Sequence, residues 1–459
     1  MTLEGIVIIV ITSFWFSSIP VSFLTLVRFL RNRSIFLKKD LKRIQNDPTI
    51  IFQITTRSAT NTPVVKRGIN SVISSCNEIN YYKYEISVVT DDPKDTTTLI
   101  NNSCQVIVVD SKFSTYAVKK GRALQYAVEY RRKIGNNSSK YWVFHMDDES
   151  CVTSQTVLSL LKFIREGNAI ASEGPIFYPL KFELANRLTA IAESIRPFTC
   201  YDCVSQMTNP PPLHMHGSNL LVRSDVEDSI GWNFGPTLAE DQMFGYKIYE
   251  KYGPKSLGWH GGILLEQPPL NIKDHFMQRR RWVFGSLQNI DKFPLIHRFK
   301  LMFKLLTYSL GFLSGVVSII LYLYIHVPKI MLLSSFNMIN HTINLDLTSS
   351  LDKLVNIFSS ESIIHTLANG STTDVIVGLM LLFPYLMWLF SYQMGLSLNL
   401  RYSKIGWIQR IILHLQTLIF SVLIGLLETF PSFWAMLEYY FRSRINKTET
   451  IHDFYVISK

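Results

Sequence analysis

The stretch YWVFHMDDESCV, residues 141–152, decides the fold. Its first half is a continuous aromatic and aliphatic run, the pattern of a strand covered on both faces. It ends in three consecutive acids, Asp147, Asp148 and Glu149. An isolated acidic triplet ordinarily marks a solvated turn. Adjacent carboxylates repel one another unless water, basic side chains or a cation offsets them, and an oxygen-only ligand set suits Mg2+ or Mn2+.

Outward from this stretch the pattern repeats. TIIFQITT (49–56), EISVVT (85–90) and QVIVVD (105–110) are short, β-branched and continuous, and helical stretches separate them. In the first of these, Val65, Ile69, Val72, Ile73 and Cys76 fall on one face. Alternation of this kind from residue 50 to 290 predicts an α/β domain with a mostly parallel sheet. Ligands of such sheets gather at the carboxyl ends of the strands. Asp91 and Asp92 follow one strand and Asp147 ends another, which points to an anionic ligand with a metal.

The 459 residues carry a formal charge of +11, and 47% are hydrophobic against 18% charged, which is apolar for a soluble enzyme. The excess is local. Gly5 to Val27 contains no charge and is long enough to cross a bilayer. A cleaved signal peptide would want basic residues before the apolar run, whereas here Arg28, Arg31, Arg33, Lys38 and Lys39 follow it, predicting a cytosolic continuation. The basic residues therefore fit lipid headgroups and not nucleic acid. Five cysteines between the apolar segments fit a reducing compartment, and the lone CYDC (200–203) fits free thiols better than zinc.

After Pro294 an apolar stretch runs from Leu305 to Val327, a more polar loop covers 328–373, and Val375 to Leu400 returns toward Arg401 and Lys404. The loop carries NHT at Asn340 and NGS at Asn369, glycosylation acceptors if it is lumenal. RYSKIGWIQR (401–410) reads as interfacial, and 411–441 as a hairpin turning near Pro431. The expected division is a membrane helix at 1–30, a basic linker at 31–49, the sheet domain at 50–293, a membrane region at 294–445 and a tail at 446–459.

Two more motifs carry chemistry. TLAEDQMFGYKIYEKYG (237–253) puts Glu240 and Asp241 at a helix start, where the dipole favours ionised acids. HFMQRRRWVFGSL (275–287) holds Gln278, Arg281 and Trp282 as Q-x-x-R-W; the competing reading is an amphipathic basic helix resting on lipid, chiefly through Arg279 and Arg280. His214 and His216 in LHMHGSNLL fit either a site beside an acceptor or a structural pair, and NPPPL (209–213) reads as a rigid loop.

Taken in order, the Asp91-Asp92 pair, the acidic D-x-E, the Glu-Asp pair and Q-x-x-R-W resemble the membrane-bound family 2 inverting glycosyltransferases, which have a GT-A fold. FQITTRS, VVTDDP, SEGPIFYP and GSNLLVR resemble in particular the invertebrate β-1,4-mannosyltransferases of glycosphingolipid synthesis. The resemblance implies donor binding by Asp91, Asp92, Asp147, Asp148, Lys119, Lys120 and Arg122. It implies a metal, Mg2+ or Mn2+, on Asp147 and Glu149, with glutamate where the family has a second aspartate. Asp241 would be the catalytic base beside Glu240, and Gln278, Arg281, Trp282 and Asn219 would line the acceptor and diphosphate side. The implied donor is GDP-mannose and the implied acceptor glucosylceramide, at the cytosolic face of the endoplasmic reticulum or Golgi. The alternatives are a ceramide glucosyltransferase or a processive β-polysaccharide synthase using a UDP-sugar, and, outside enzymes, an inactive membrane scaffold.

Overall fold

The computed structural model describes residues 13–16, 23–24, 26–27, 47–58, 62–99, 103–167, 169–199, 213–326 and 372–445. The expected N-terminal membrane helix, the basic linker, CYDC, NPPPL apart from Leu213, both sequons and the tail lie essentially outside these residues.

The described elements open with β1 (Thr49–Thr55), α1 (Thr62–Glu78), β2 (Tyr84–Thr90), α2 (Lys94–Thr98), β3 (Gln105–Val108), α3 (Lys119–Ile134) and β4 (Tyr141–Asp147). There follow α4 (Ser154–Glu166), β5 (Ala171–Glu173), β6 (Ile176–Phe177), α5 (Arg187–Thr199), β7 (Leu220–Arg223), α6 (Ser224–Ile230) and α7 (Glu240–Tyr252). Then come β8 (Leu257–Trp259), β9 (Leu264–Leu265), α8 (Ile272–Gln288), α9 (Leu295–His326), α10 (Thr372–Asn399), α11 (Trp407–Ile419) and α12 (Ser421–Ile445). Seven strands form one sheet in the order β3-β2-β1-β4-β7-β5-β8, and β6 and β9 form a second. All pairings are parallel except those of β7 with β4 and β5.

The four runs read from the sequence are the four strands that build the first half of the sheet. Five consecutive residues of β1 and of β4 are buried, because helices cover both faces. Phe52 and Phe144, on neighbouring strands, meet edge to face at 5.7 Å. Val65, Ile69, Val72 and Cys76 of α1 pack on this core. The register pairs Thr55 with Asp147, so β1 and β4 end together and the acids emerge at the sheet's carboxyl edge.

By its internal packing the chain forms two compact units, Leu24–Leu305 with Ser391–Lys459, and Met1–Phe23 with Leu306–Phe390. The sheet thus shares its unit with α11 and α12. The cause is side-chain pairing between α8 and α12, described below. In the other unit Trp15 is buried against Phe312 and Gly315, where a Cβ would come within 2.2 Å of the indole.

Among the described residues, Leu295–Ile320 is the one single helix long and apolar enough to cross a membrane, and α11 with α12 form a pair bent by 67° that passes the same test jointly. The bend corrects the expected hairpin at Pro431. Helix α12 continues through Pro431, and the break falls at Phe420. The proline forgoes one backbone hydrogen bond. Packing on both sides of it, through buried Glu428 and buried Ala435, holds the helix across the gap.

Candidate active site

The site begins where β4 stops. Asp147 and Glu149 are partly exposed, whereas Asp148 is buried and its Oδ2 accepts a hydrogen bond from Thr56 Oγ1 at 3.2 Å. The turn that follows β4 leaves Asp147 and Glu149 partly exposed and buries Asp148, so of the three acids Asp147 and Glu149 are the two left open at the edge. The oxygen-only donors suit a hard cation of the Mg2+ or Mn2+ kind.

Two helix starts converge on Asp147. Lys120, in the first turn of α3, pairs with Asp147 and donates to the carbonyl of Gly217 at 3.0 Å. Its predecessor Lys119 has φ +54°, a left-handed conformation that a lysine adopts only at a cost. The cost falls at the turn that aims Lys120. From the other side comes α7, where Asp241 Oδ1 accepts from the Gln242 backbone N–H at 2.8 Å. A Cβ on Gly217 would lie 3.0 Å from Lys120 Nζ and 3.2 Å from Asp241 Oδ2, so this glycine lets ammonium and carboxylate close over it. Burial and the Asp241 charge push Glu240 up to about 7, against Lys120 and Arg281. Burial raises Asp241 as well, while Lys120 acts to keep it ionised. Burial acts to lower Lys120, but Asp147, Glu240 and Asp241 leave it raised on balance.

The start of α7 is held by the end of α8. A Cβ on Gly285 would sit 2.9 Å from the Leu238 carbonyl carbon, so only glycine permits this approach. Gln288 accepts from Leu238 N–H at 3.0 Å, and Asn289 Nδ2 donates to Ala239 O at 2.9 Å. The Q-x-x-R-W segment thereby reaches the acids: the Arg281 charge acts on Glu240. Trp282 lies under two guanidinium groups, Arg196 at 4.3 Å and Arg279 at 4.4 Å.

The reading that Arg279 and Arg280 rest on lipid is wrong. Arg279 is wholly buried, with Glu428 receiving Nε and Nη2 at 2.9 Å each and Glu193 receiving Nη2 at 2.8 Å. Arg280 forms a two-pronged pair with Glu438 at 2.6 and 2.5 Å. Gln278 accepts from Arg279 Nη1 at 2.8 Å. Asn219 also departs from its expected place beside an acceptor. It is fully buried at φ +56°, and its amide donates to Pro175 O and Gly262 O at 3.0 and 2.9 Å, locking two loops together.

At the far end of the edge, Arg122 Nη1 pairs with Asp91 at 3.0 Å, while Asp92 accepts from the Lys94 backbone at 2.9 Å and so opens α2. One residue escaped the motif reading altogether. Glu266, buried behind Asp147, accepts from Ser150 Oγ at 3.0 Å and Ser218 Oγ at 2.8 Å. Burial and the Asp147 charge push it up to about 7. Only the folding of the segment after β9 brings it here, and EQPPL gives no motif to find it by.

Residues 142–441 match the family described as Glycosyl transferase family group 2, and the chain belongs to it. Two similar curated proteins are the β-1,4-mannosyltransferase egh of Drosophila melanogaster, 26% identical over 270 residues, and the β-1,4-mannosyltransferase bre-3 of Caenorhabditis elegans, 26% identical over 272. The alignments cover 57% of this chain and 57% and 58% of those proteins. Solved structures with similarity include a glucosyl-3-phosphoglycerate synthase of Mycobacterium tuberculosis in complex with Mn2+, UDP and phosphoglyceric acid, at 14% identity and TM-score 0.31 over 48% of this chain and 71% of that one. TarS of S. aureus in complex with UDP-GlcNAc is 12% identical, with TM-score 0.33 over 55% and 70%.

Proposed function

We propose that this chain is an inverting β-1,4-mannosyltransferase that moves mannose from GDP-mannose onto glucosylceramide at the cytosolic face of the endoplasmic reticulum or Golgi. The observation that supports it most is the meeting of Asp147, Lys120 and Asp241 around Gly217 at the carboxyl edge of the sheet. The named relatives supply the sugar and linkage.

Asp91 and Asp92 hold the nucleoside end of the donor, and Arg122 and Lys120 face its phosphates. Asp147 and Glu149 would hold Mg2+ or Mn2+, which when bound supplies positive charge to the departing diphosphate. Lys120 and Arg281 add fixed positive charge on the same side, worth most where water is excluded. Asp241, kept anionic by Lys120, accepts the proton of the attacking acceptor hydroxyl. Attack opposite the leaving group turns an α-linked donor into a β-linked product. Glu240 keeps its proton near neutrality and spares Asp241 a second adjacent negative charge. Trp282, held by its two guanidinium groups, lines the acceptor and diphosphate side with Gln278 and Arg281.

General-base help is worth about 10²- to 10⁴-fold in rate. Detergent-purified protein with Mn2+, glucosylceramide and labelled GDP-mannose should form one β-linked mannosylated lipid. Asp241→Asn should lose about that factor in turnover while still binding GDP-mannose. Transfer only from a UDP-sugar would overturn the donor and acceptor, and near-normal turnover in the variant would overturn the base.

A further inference from the structure

A second cluster of metal-binding side chains lies outside the D-x-E site. Glu173, His214 and His216 each offer a ligand atom, and all three atoms lie within 4.8 Å of one another. We propose that these three residues form a binding site for a borderline divalent cation of the zinc class, separate from the oxygen-only site at Asp147.

The backbone builds the cluster on purpose-fitted elements. Glu173 ends β5, which pairs antiparallel with β7, and the register sets Glu173 opposite Leu220. The histidines lie on the segment leading into β7, so the sheet itself brings them to the glutamate. His-x-His spacing on extended chain sends both rings to one side and the residue between to the other. Met215, the residue between, is buried in the core with Phe244 and Trp232, while both imidazoles remain partly exposed, 4.8 Å apart and edge to face. Glu173 itself is 1% exposed and receives the His216 backbone N–H on Oε1.

The turn after Glu173 is closely packed. A Cβ on Gly174 would fall 2.2 Å from Gly262 O and 2.5 Å from the His260 ring, so only glycine permits this approach. Zinc bonds of about 2.0–2.1 Å put tetrahedral ligand atoms about 3.3 Å apart, which small side-chain rotations reach from the observed spacing. Two imidazole nitrogens and one carboxylate are the donor set of many open zinc sites, with a position left for water or a ligand hydroxyl. The same set disfavours Mg2+, which prefers oxygen. Gly217, next in sequence to His216, backs onto Asp241 and Lys120, so a cation here borders the proposed base.

The inference is independent of the mannosyl reading, and its readout is binding, not turnover. Untagged full-length protein in detergent, stripped by chelator and supplied with excess Mg2+, is titrated with Co2+. One equivalent should bind with the visible absorption of a four- or five-coordinate site, and Zn2+ should displace it. His216→Ala and Glu173→Gln should each weaken uptake at least tenfold, and Asp147→Asn should leave it unchanged. Because a buried Glu173 variant could misfold, Cu2+-loaded wild-type protein is examined by pulsed electron paramagnetic resonance, where two coupled imidazoles are expected. No uptake, uptake lost in Asp147→Asn, or a copper signal without two imidazoles would each overturn the site.

Discussion

Two buried glutamates of the site, Glu240 and Glu266, carry carboxyls pushed up to about 7, and two others, Glu193 and Glu227, are held near 2 by guanidinium partners despite their burial. The signs oppose. A raised carboxyl binds its proton more tightly when folded, so its stabilisation is complete below the ordinary value of 4.5 and is lost as pH rises through about 7. The lowered pair stabilise above 4.5 and lose that contribution only as pH falls through about 2. Metal-free protein in detergent should therefore show a thermal midpoint that declines between about pH 4.5 and about pH 7. In Glu266→Gln the decline should be shallower, and an unchanged slope would show that Glu266 does not titrate there. Of these residues, the Glu240-Asp241 pair was legible as a charged helix start. Glu266 was not, because its significance lies in Ser150 and Ser218, residues 116 and 48 positions away.

At the scale of elements, α8 is clamped between α5 and α12 by Arg279. Removing a guanidinium from a buried pair strands the carboxylates, at a cost of about 3–5 kcal/mol. Arg279→Met should lower the thermal midpoint in detergent far more than Arg280→Met, since Arg280 and Glu438 keep 13% and 12% exposure where Arg279 and Glu193 have none. Equal shifts would contradict the clamp. The misreading of Arg279 has a plain cause. Three consecutive helical residues point about 100° apart, so RRR cannot all face one surface, and the sequence does not say which turns inward. The partner that decides it, Glu428, lies 149 positions later. The strands, by contrast, were legible because burial on both faces leaves a continuous apolar run. The antiparallel direction of β7 left no such mark, since an apolar run such as LLV does not say which way its strand points.

Two outward-facing apolar features stand out among the described residues, and we propose that both meet a membrane. Leu295–Ile320 is apolar enough to span a bilayer, and α11 exposes Trp407, Ile408, Ile411, Leu415 and Ile419 along one side. Microsomes carrying the protein should keep it in the pellet after an alkaline carbonate wash and release it in detergent; release by carbonate alone would contradict membrane integration. The Arg279–Glu428 and Arg280–Glu438 pairs reach further than stability. They join positions 149 and 158 residues apart, one set in the Q-x-x-R-W helix and the other near the end of the described chain. The Q-x-x-R-W helix and α12 are consequently not interchangeable modules. A fragment stopped after Lys292 would carry a buried arginine without Glu428, and a chimera that grafts a relative's last helices must exchange α8 along with them.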